Sequence, residues 1–368
     1  MRLLSIEQIK TNCVLGKSIY NERNQVLLGA GVVLTERLIE RLKDLGVTYV
    51  YIQDEKTENI NPQSTISDQL RKEATSTIES VLKQIDIDDQ FMDHAFLLET
   101  ASKKFKDIIR EIVKEIKQNE ELLTLLSEVY VLDEYIFTHS LNVTFYSLAI
   151  GLELNLPQKE LELLGMGSLL HDVGKLKVSP KILLKPGKLT EEEYEEIKKH
   201  AEFGFRILKQ IHSLPLTIAH CAYQHHERLN GSGYPRGLRE EEIHFYGKII
   251  AVADVFDAVT SHRIYRKAML PHEGLEILYS GSGTMYDREI IEAFRKSVAV
   301  YPVGITVVLS DQRVGVVMGQ NKGLGDRPTI QIIEENGLEL IEPYQVNLLN
   351  QLDVTIIACN DNRQIRSM

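Results

Sequence analysis

The sequence has little of several residue types that define other protein classes. It contains only three cysteines, Cys13, Cys221 and Cys359, which lie far apart and form no CxxC pair. This spacing argues against a disulfide framework or a zinc ribbon and is typical of a reducing compartment, so we expect a cytoplasmic protein. The chain also lacks a run of about 18 apolar residues and an apolar signal-peptide core, so we expect no membrane span.

An excess of positive charge is also absent. The 42 Lys and Arg residues are outnumbered by 53 Asp and Glu residues, which gives a net charge of −11. A protein that coats nucleic acid usually carries the opposite balance, so we expect no nucleic-acid polymer as a partner. The 368 residues, 43% of them hydrophobic, are enough for two or three globular domains.

Local patterns divide the chain into four predicted segments of a mainly α protein. Residues 1–60 form a small α/β region, in which an amphipathic helix follows Thr35 and a strand runs from Val47 to Ile52. Residues 61–129 form a helical connector, which either packs on its own domain or joins two copies in a homodimer. Residues 130–300 form a helical domain, and residues 301–368 a small β-rich region with hairpin turns at 310–313 and 336–337.

The helical domain carries clear boundary signals. Thr190 followed by Glu193 is a capping box. The helix that it opens is predicted to continue through Ala201 to Ile211 on one buried stripe, and another helix is predicted from Tyr246 to Ser261.

Histidines are concentrated in this domain, where seven of the eleven lie between His139 and His226. His171 and Asp172 are adjacent, so on a helix they would approach one metal ion from directions about 100° apart. An imidazole with a carboxylate suits iron, manganese or zinc. One such dipeptide is weak evidence, but His139, His200, the tandem His225-His226 and Asp254 add further candidates. Burying all these groups would be costly unless a metal satisfied them.

The remaining histidines have no such context. We interpret His94, His212, His244, His262 and His272 as surface or ordinary core residues, and we expect His220 to face a wall of its helix rather than the site.

Several motifs in register resemble the HD-GYP family of phosphodiesterases. The main one is the segment 225–235, HHERLNGSGYP. It is preceded by DEYIFTHS at 133–140, HDVGK at 171–175 and ILLKPG at 182–187, and it is followed by VADVFDA at 252–258 and RIYR at 263–266. The resemblance covers roughly residues 127–300 and implies a helical HD fold.

The resemblance also implies a role for each matching position. His139, His171, Asp172 and Asp254 would hold one metal ion, and Asp172 would bridge to a second ion held by His200, His225 and His226. Lys175 would contact the scissile phosphate, and Arg263 and Arg266 would contact phosphate or guanine. Tyr234 would shape the pocket rim, and Asp133 would touch the substrate base. Iron is the expected metal, with manganese as the alternative.

Two positions depart from the family pattern. Asn230 stands where the family usually has Asp, and we expect a mild effect because Asn keeps an acceptor for the loop turn. Tyr135 stands where three-metal relatives have a glutamate. A phenol with a pKa near ~10 is a poor ligand, so we expect two divalent ions rather than three.

Together, the spacing and the resemblance predict an enzyme that hydrolyses cyclic di-GMP to linear pGpG and, where both bonds are cut, GMP. A metal-bridging hydroxide would attack phosphorus, and Lys175 would stabilise the negative charge that builds on the non-bridging oxygens. Asp172 and Asp254, as metal ligands, would set the charge of the site. Three alternatives stay open: an HD hydrolase for another nucleotide, a cyclic-dinucleotide receptor with little catalysis, and a purely structural helical protein.

Overall fold

The computed structural model describes residues 1–21, 26–62, 64–87, 91–118, 129–131, 135–183, 185, 187–261, 269–321 and 323–359. The helices are α1 Glu36–Asp44, α2 Asp68–Ile87, α3 Phe91–Gln118, α4 Tyr135–Glu153, α5 Gln158–Leu170, α6 Pro180–Leu183, α7 Glu191–Lys198, α8 His200–Leu208, α9 Leu216–Gln224, α10 Phe245–Thr260, α11 Pro271–Ser280 and α12 Arg288–Ser297. The strands are β1 Arg2–Ser5, β2 Ile19–Asn21, β3 Val26–Leu28, β4 Tyr49–Ile52, β5 Val129–Val131, β6 Thr306–Leu309, β7 Val314–Gly319, β8 Thr329–Glu335, β9 Leu338–Asn347 and β10 Ile356–Cys359. The predicted fold class, mainly α with small accessory α/β and β-rich regions, is confirmed.

The chain divides into two compact units. The helical unit comprises residues 66–118 and 134–294. In it α4 packs against α5 and α10, and α8 packs against α9. A cluster of edge-to-face rings fills part of its core, where the centroid of Phe256 lies 5.1 Å from that of Tyr146 and 4.6 Å from that of Phe294. These helices bring together the segments that carry the sequence motifs.

One helix of this unit differs from its prediction. The capping box at Thr190 and Glu193 is present, but the expected single helix is divided at Lys199 into α7 and α8. The Lys199 N–H bonds to the carbonyl of Glu196, three residues back, which tightens the last turn of α7. His200 therefore begins a new helix.

The β-rich unit comprises residues 1–65, 119–133 and 295–368. Its largest sheet has the strand order β10-β6-β7-β8-β9, with antiparallel neighbours throughout. The turns predicted at 310–313 and 336–337 join β6 to β7 and β8 to β9. A second sheet has the order β3-β2-β5, in which β5 is parallel to β2.

The first and last segments of the chain share this unit, whereas the sequence patterns suggested two separate regions. The Tyr51 hydroxyl donates to the carbonyl of Val303 at 2.9 Å, and Leu3 forms a parallel bridge with Ile305. Likewise, residues 66–118 of the predicted connector belong to the helical unit. Local periodicity does not encode such long-range pairing. The division into four segments remains a prediction from the sequence.

Among the described helices, none combines the length and the apolar character needed to cross a bilayer.

Candidate metal centre

The structure brings the seven predicted ligands together inside the helical unit. His139 lies on α4 and Asp254 on α10, while His200 opens α8. His171 ends α5 and His225 ends α9, so Asp172 and His226 follow directly after a helix. They form two groups in which the candidate ligand atoms lie within 4.8 Å of one another: His139, His171 and Asp254, and Asp172, His200, His225 and His226.

The carboxylate of Asp172 faces both groups, one oxygen to each. Its Oδ2 lies 3.5 Å from Nε2 of His139 and 3.3 Å from Nε2 of His171. Its Oδ1 lies 3.4 Å from Nε2 of His200 and 3.8 Å from Nε2 of His225. This carboxylate is therefore placed to contact an ion in each group.

Four histidines are held from behind by a hydrogen bond to Nδ1. The partners are Asp257 Oδ2 for His139 at 2.7 Å, the Ser168 carbonyl for His171 at 2.7 Å, the Ile197 carbonyl for His200 at 2.6 Å and the Cys221 carbonyl for His225 at 3.2 Å. An oxygen acceptor at Nδ1 holds the proton there and leaves Nε2 with its lone pair. This is how metal-binding histidines are usually oriented.

Buried polar atoms at the centre lack hydrogen-bond partners within the protein. His171 is fully buried and Asp172 is 2% exposed. Neither Nε2 of His171 nor Oδ1 of Asp172 has a hydrogen-bond partner. Such an atom costs about 1–3 kcal/mol unless a ligand or ion satisfies it. The donor set of imidazoles and carboxylates therefore fits a divalent metal ion, and each of the two groups could hold such an ion.

The electrostatics of the centre favour a cation. Burial opposes ionisation of Asp172, but Lys175 and His171 outweigh it and hold the pKa well below its usual range. Burial lowers the pKa of His200 to about 4, and it lowers those of His225 and His226. Ionised aspartates with neutral imidazoles are the protonation state that a metal ion requires.

His139 differs from the other histidines in its pKa. Burial lowers the pKa, but hydrogen bonds to Asp254 and Asp257 outweigh burial and raise it to about 9. The surrounding carboxylates thus favour the protonated, positively charged form of this ring.

The loop after the tandem histidines forms one wall of the centre. The ring of Tyr234 stacks on that of His226, with centroids 4.5 Å apart. The buried carboxylate of Glu227 accepts from the N–H groups of Arg236 at 2.8 Å and Leu238 at 2.9 Å, which fixes the loop. A Cβ on Gly233 would lie 2.4 Å from the Cα of Glu227, so this close approach requires glycine.

The departure at Asn230 retains its expected turn interaction. Its Oδ1 accepts from the N–H of Ser232 at 3.0 Å. Gly231 between them has a φ of 80°, which favours glycine.

The predicted substrate contacts are described only in part. Lys175 lies at the centre, where its Nζ donates to Oδ2 of Asp172 at 2.5 Å. Arg263, Arg266 and Asp133 lie outside the described residues, and so does the side chain of Tyr135.

Asp257 has a role at the centre that the sequence patterns did not predict. Its carboxylate is buried and contacts His139. The available signal was its spacing, because Asp254 and Asp257 are three residues apart on α10 and so lie on one face of the helix.

Comparison with known proteins agrees with this geometry. Residues 105–290 match the family model described as HD domain. A cyclic di-GMP phosphodiesterase of Pseudomonas aeruginosa is 34% identical over 240 residues, which cover 65% of this chain and 58% of that protein. A cyclic di-GMP phosphodiesterase of Thermotoga maritima is 40% identical over 202 residues, covering 55% of this chain and 54% of that protein. A 3′3′-cGAMP-specific phosphodiesterase of Vibrio cholerae is 39% identical over 168 residues, covering 46% of this chain and 36% of that protein.

The chain thus spans a little over half the length of the first two of these relatives. The family match covers the helices that carry all seven candidate ligands, and the resemblance read from the sequence motifs is confirmed: the chain belongs to the HD domain family.

Proposed function

We propose that this protein is a metal-dependent phosphodiesterase that hydrolyses cyclic di-GMP to pGpG and, where both bonds are cut, GMP. The observation that carries the proposal is the position of Asp172, whose two oxygens face two separate groups of ligands. Two divalent ions so placed, when bound, supply Lewis acidity and lower the pKa of a water at the site.

The proposed ligands follow the two groups. His139, His171 and Asp254 would hold one ion, His200, His225 and His226 the other, and Asp172 would bridge them. From the resemblance to the HD-GYP family, iron is the proposed metal and manganese the alternative. The donors of the two groups, imidazole and carboxylate without a thiolate, suit either ion.

Lys175 and Tyr234 have complementary roles in this proposal. Lys175 is 18% exposed at its side chain, so its ammonium group can leave Asp172 to stabilise charge on the phosphate oxygens. Tyr234 stacks on His226 and is proposed to shape the rim of the pocket. Arg263 and Arg266 are proposed to contact phosphate or guanine, and Asp133 the base, from the motifs alone.

The substrate proposal follows the relatives, two of which are named for cyclic di-GMP. Another is named as specific for 3′3′-cGAMP, and this makes the mixed dinucleotide the second candidate. A cytoplasmic location and a homodimer remain predictions from the sequence.

Metal analysis combined with product identification tests the proposal. Purified protein would be assayed for bound metals and incubated separately with cyclic di-GMP and with 3′3′-cGAMP. The products would be separated by chromatography and identified by mass spectrometry. We expect two equivalents of metal and conversion of cyclic di-GMP to pGpG, with none after treatment with a chelator. Binding of the dinucleotide without turnover by the metal-loaded protein would instead indicate a receptor, and preferential hydrolysis of 3′3′-cGAMP would overturn the substrate assignment.

A further inference from the structure

A buried carboxylate stands directly behind one of the candidate ligands. Oδ2 of Asp257 accepts the Nδ1 proton of His139 at 2.7 Å, and Asp257 is 1% exposed. Its other oxygen, Oδ1, accepts from the side-chain amide of Asn142 at 3.0 Å and from the hydroxyl of Ser261 at 2.8 Å. Both oxygens are therefore used, and the carboxylate is fixed in orientation.

The chain of hydrogen bonds continues outward to an arginine on another helix. The guanidinium of Arg71 donates to Oδ1 of Asn142 at 3.3 Å and lies over the ring of Phe145, 5.0 Å from its centroid. Arg71 is 3% exposed and belongs to α2. It lies outside residues 105–290, the part that matches the HD domain model.

The hydrogen bonds of this series run in one direction, with Arg71 donating to Asn142 and Asn142 donating to Asp257. An arginine can only donate and a carboxylate can only accept, whereas an amide does both. Asn142 can satisfy both neighbours in one orientation, with its oxygen toward Arg71 and its NH₂ toward Asp257. A buried arginine stays charged, and its burial costs free energy unless an opposite charge lies nearby. The carboxylate of Asp257 is one such charge, linked to Arg71 through a single amide.

We propose that Arg71 is a positioning residue for the metal centre. Through Asn142 and Asp257 it holds the imidazole of His139 with its Nδ1 proton outward and Nε2 toward Asp254 and Asp172. Helix α2, which precedes the matched residues 105–290, thus helps to orient the candidate ligand His139. This inference rests on the proposed function in one respect, namely that His139 binds metal.

The test measures metal binding rather than turnover. Co²⁺ would be titrated into the full-length, metal-free protein against a chromophoric chelator, and the visible spectrum of the Co²⁺-loaded protein would be recorded. The variants are Arg71→Met, which keeps most of the side-chain volume, Arg71→Lys, which keeps the charge, and Asn142→Leu, which interrupts the chain in its middle. The control is Lys72→Met, on the exposed adjacent position of α2.

We expect Arg71→Met to weaken Co²⁺ binding about 10-fold, the lower end of what outer partners of metal ligands contribute, and to change the Co²⁺ spectrum. Arg71→Lys should recover most of the affinity, and Lys72→Met should match wild type. Asn142→Leu should resemble Arg71→Met, and the double variant should be no worse than either single one because the residues act in one chain.

Wild-type affinity and spectrum in Arg71→Met would overturn the inference, and so would additive losses in the double variant. If Arg71→Met does not fold, Asn142→Leu decides on the same criteria. Failure of the wild-type protein to bind Co²⁺ is a separate outcome, since it would overturn the proposed function itself.

Discussion

Two buried polar sites, one in each unit of this protein, are arranged in different ways. In the β-rich unit the buried amide of Gln331 is satisfied within the unit, by Asn59 at 2.7 Å and by the carbonyl of Lys56 at 2.6 Å. In the helical unit Nε2 of His171 and Oδ1 of Asp172 are buried without such a partner. The first arrangement stabilises a fold, whereas the second is stable only at a cost that a bound ion can remove.

The side chains buried in two strands of the β-rich unit also differ in kind from those buried at the metal centre. Strands β6 and β7 bury almost every residue, and they do so with aliphatic side chains such as Val307, Leu309 and Val316. The helical unit places imidazoles and carboxylates at the meeting point of α4, α5, α8, α9 and α10. We therefore expect substitutions at the metal centre to affect mainly metal binding and hydrolysis, and substitutions in the buried strands to affect mainly stability.

The largest expected effect is that of Asp172→Ala. Because this residue faces both groups of ligands, we expect its loss to exceed the ~10–100-fold reduction typical of outer partners, both in hydrolysis and in metal affinity. The metal-free variant should still fold but unfold at a lower temperature than wild type, because Lys175 loses its partner and the folded protein favours the ionised carboxylate of Asp172. Metal content by mass spectrometry and a melting curve of the metal-free protein test this. An active, metal-loaded variant would show that the centre lies elsewhere.

Leu309→Ala should produce the opposite pattern. Leu309 is fully buried in β6, and removing such a side chain costs about 2–5 kcal/mol of unfolding free energy. Metal affinity of the folded protein should stay within about twofold of wild type, which is within the ±0.5 kcal/mol typical of neutral substitutions. Leu352→Ala is the control, because this side chain is 76% exposed. The comparison of the units would fail if Leu309→Ala left stability unchanged or reduced metal binding more than stability.

Metal removal should affect the helical unit selectively. At free metal about 100 times its dissociation constant, binding adds about 2.7 kcal/mol of stability. Hydrogen exchange with and without a chelator should show lost protection in α4, α8 and α10 and none in β6–β9. Equal loss in both units, or none in either, would contradict the distinction.

The smallest expected effect is that of Asn230→Asp. The residue is exposed, and a carboxylate would keep the acceptor that Asn230 offers to the N–H of Ser232. We expect hydrolysis within about twofold of wild type, as for substitutions within ±0.5 kcal/mol. A large gain in rate would show that this departure from the family pattern limits activity.

The sequence was sufficient to find what lies close along the chain. Six of the seven ligands occur in short motifs, and His200 follows the capping box at Thr190, which is a local signal. The two hairpins of the large sheet follow from alternation and turn residues. The site could be assembled from these because the ligands lie on or directly beside helices of one domain.

Other features depend on contacts between distant residues and could not be read from local patterns. Asp257 acquires its role only because α4 and α10 pack together, and Arg71 only because α2 packs in the same unit. The pairing of β1 with residue 305 joins positions about 300 residues apart. The division between α7 and α8 arises from a single three-residue backbone bond at Lys199, which no periodicity predicts.

The central claim, that Asp172 stands between two metal ions, is tested most directly by anomalous diffraction. Crystals of the metal-loaded protein would be measured on both sides of the absorption edges of iron and manganese. We expect two strong peaks, one beside each oxygen of Asp172, the first near His139, His171 and Asp254 and the second near His200, His225 and His226. A single peak on one oxygen, or a third peak of full occupancy beside Tyr135, would contradict it.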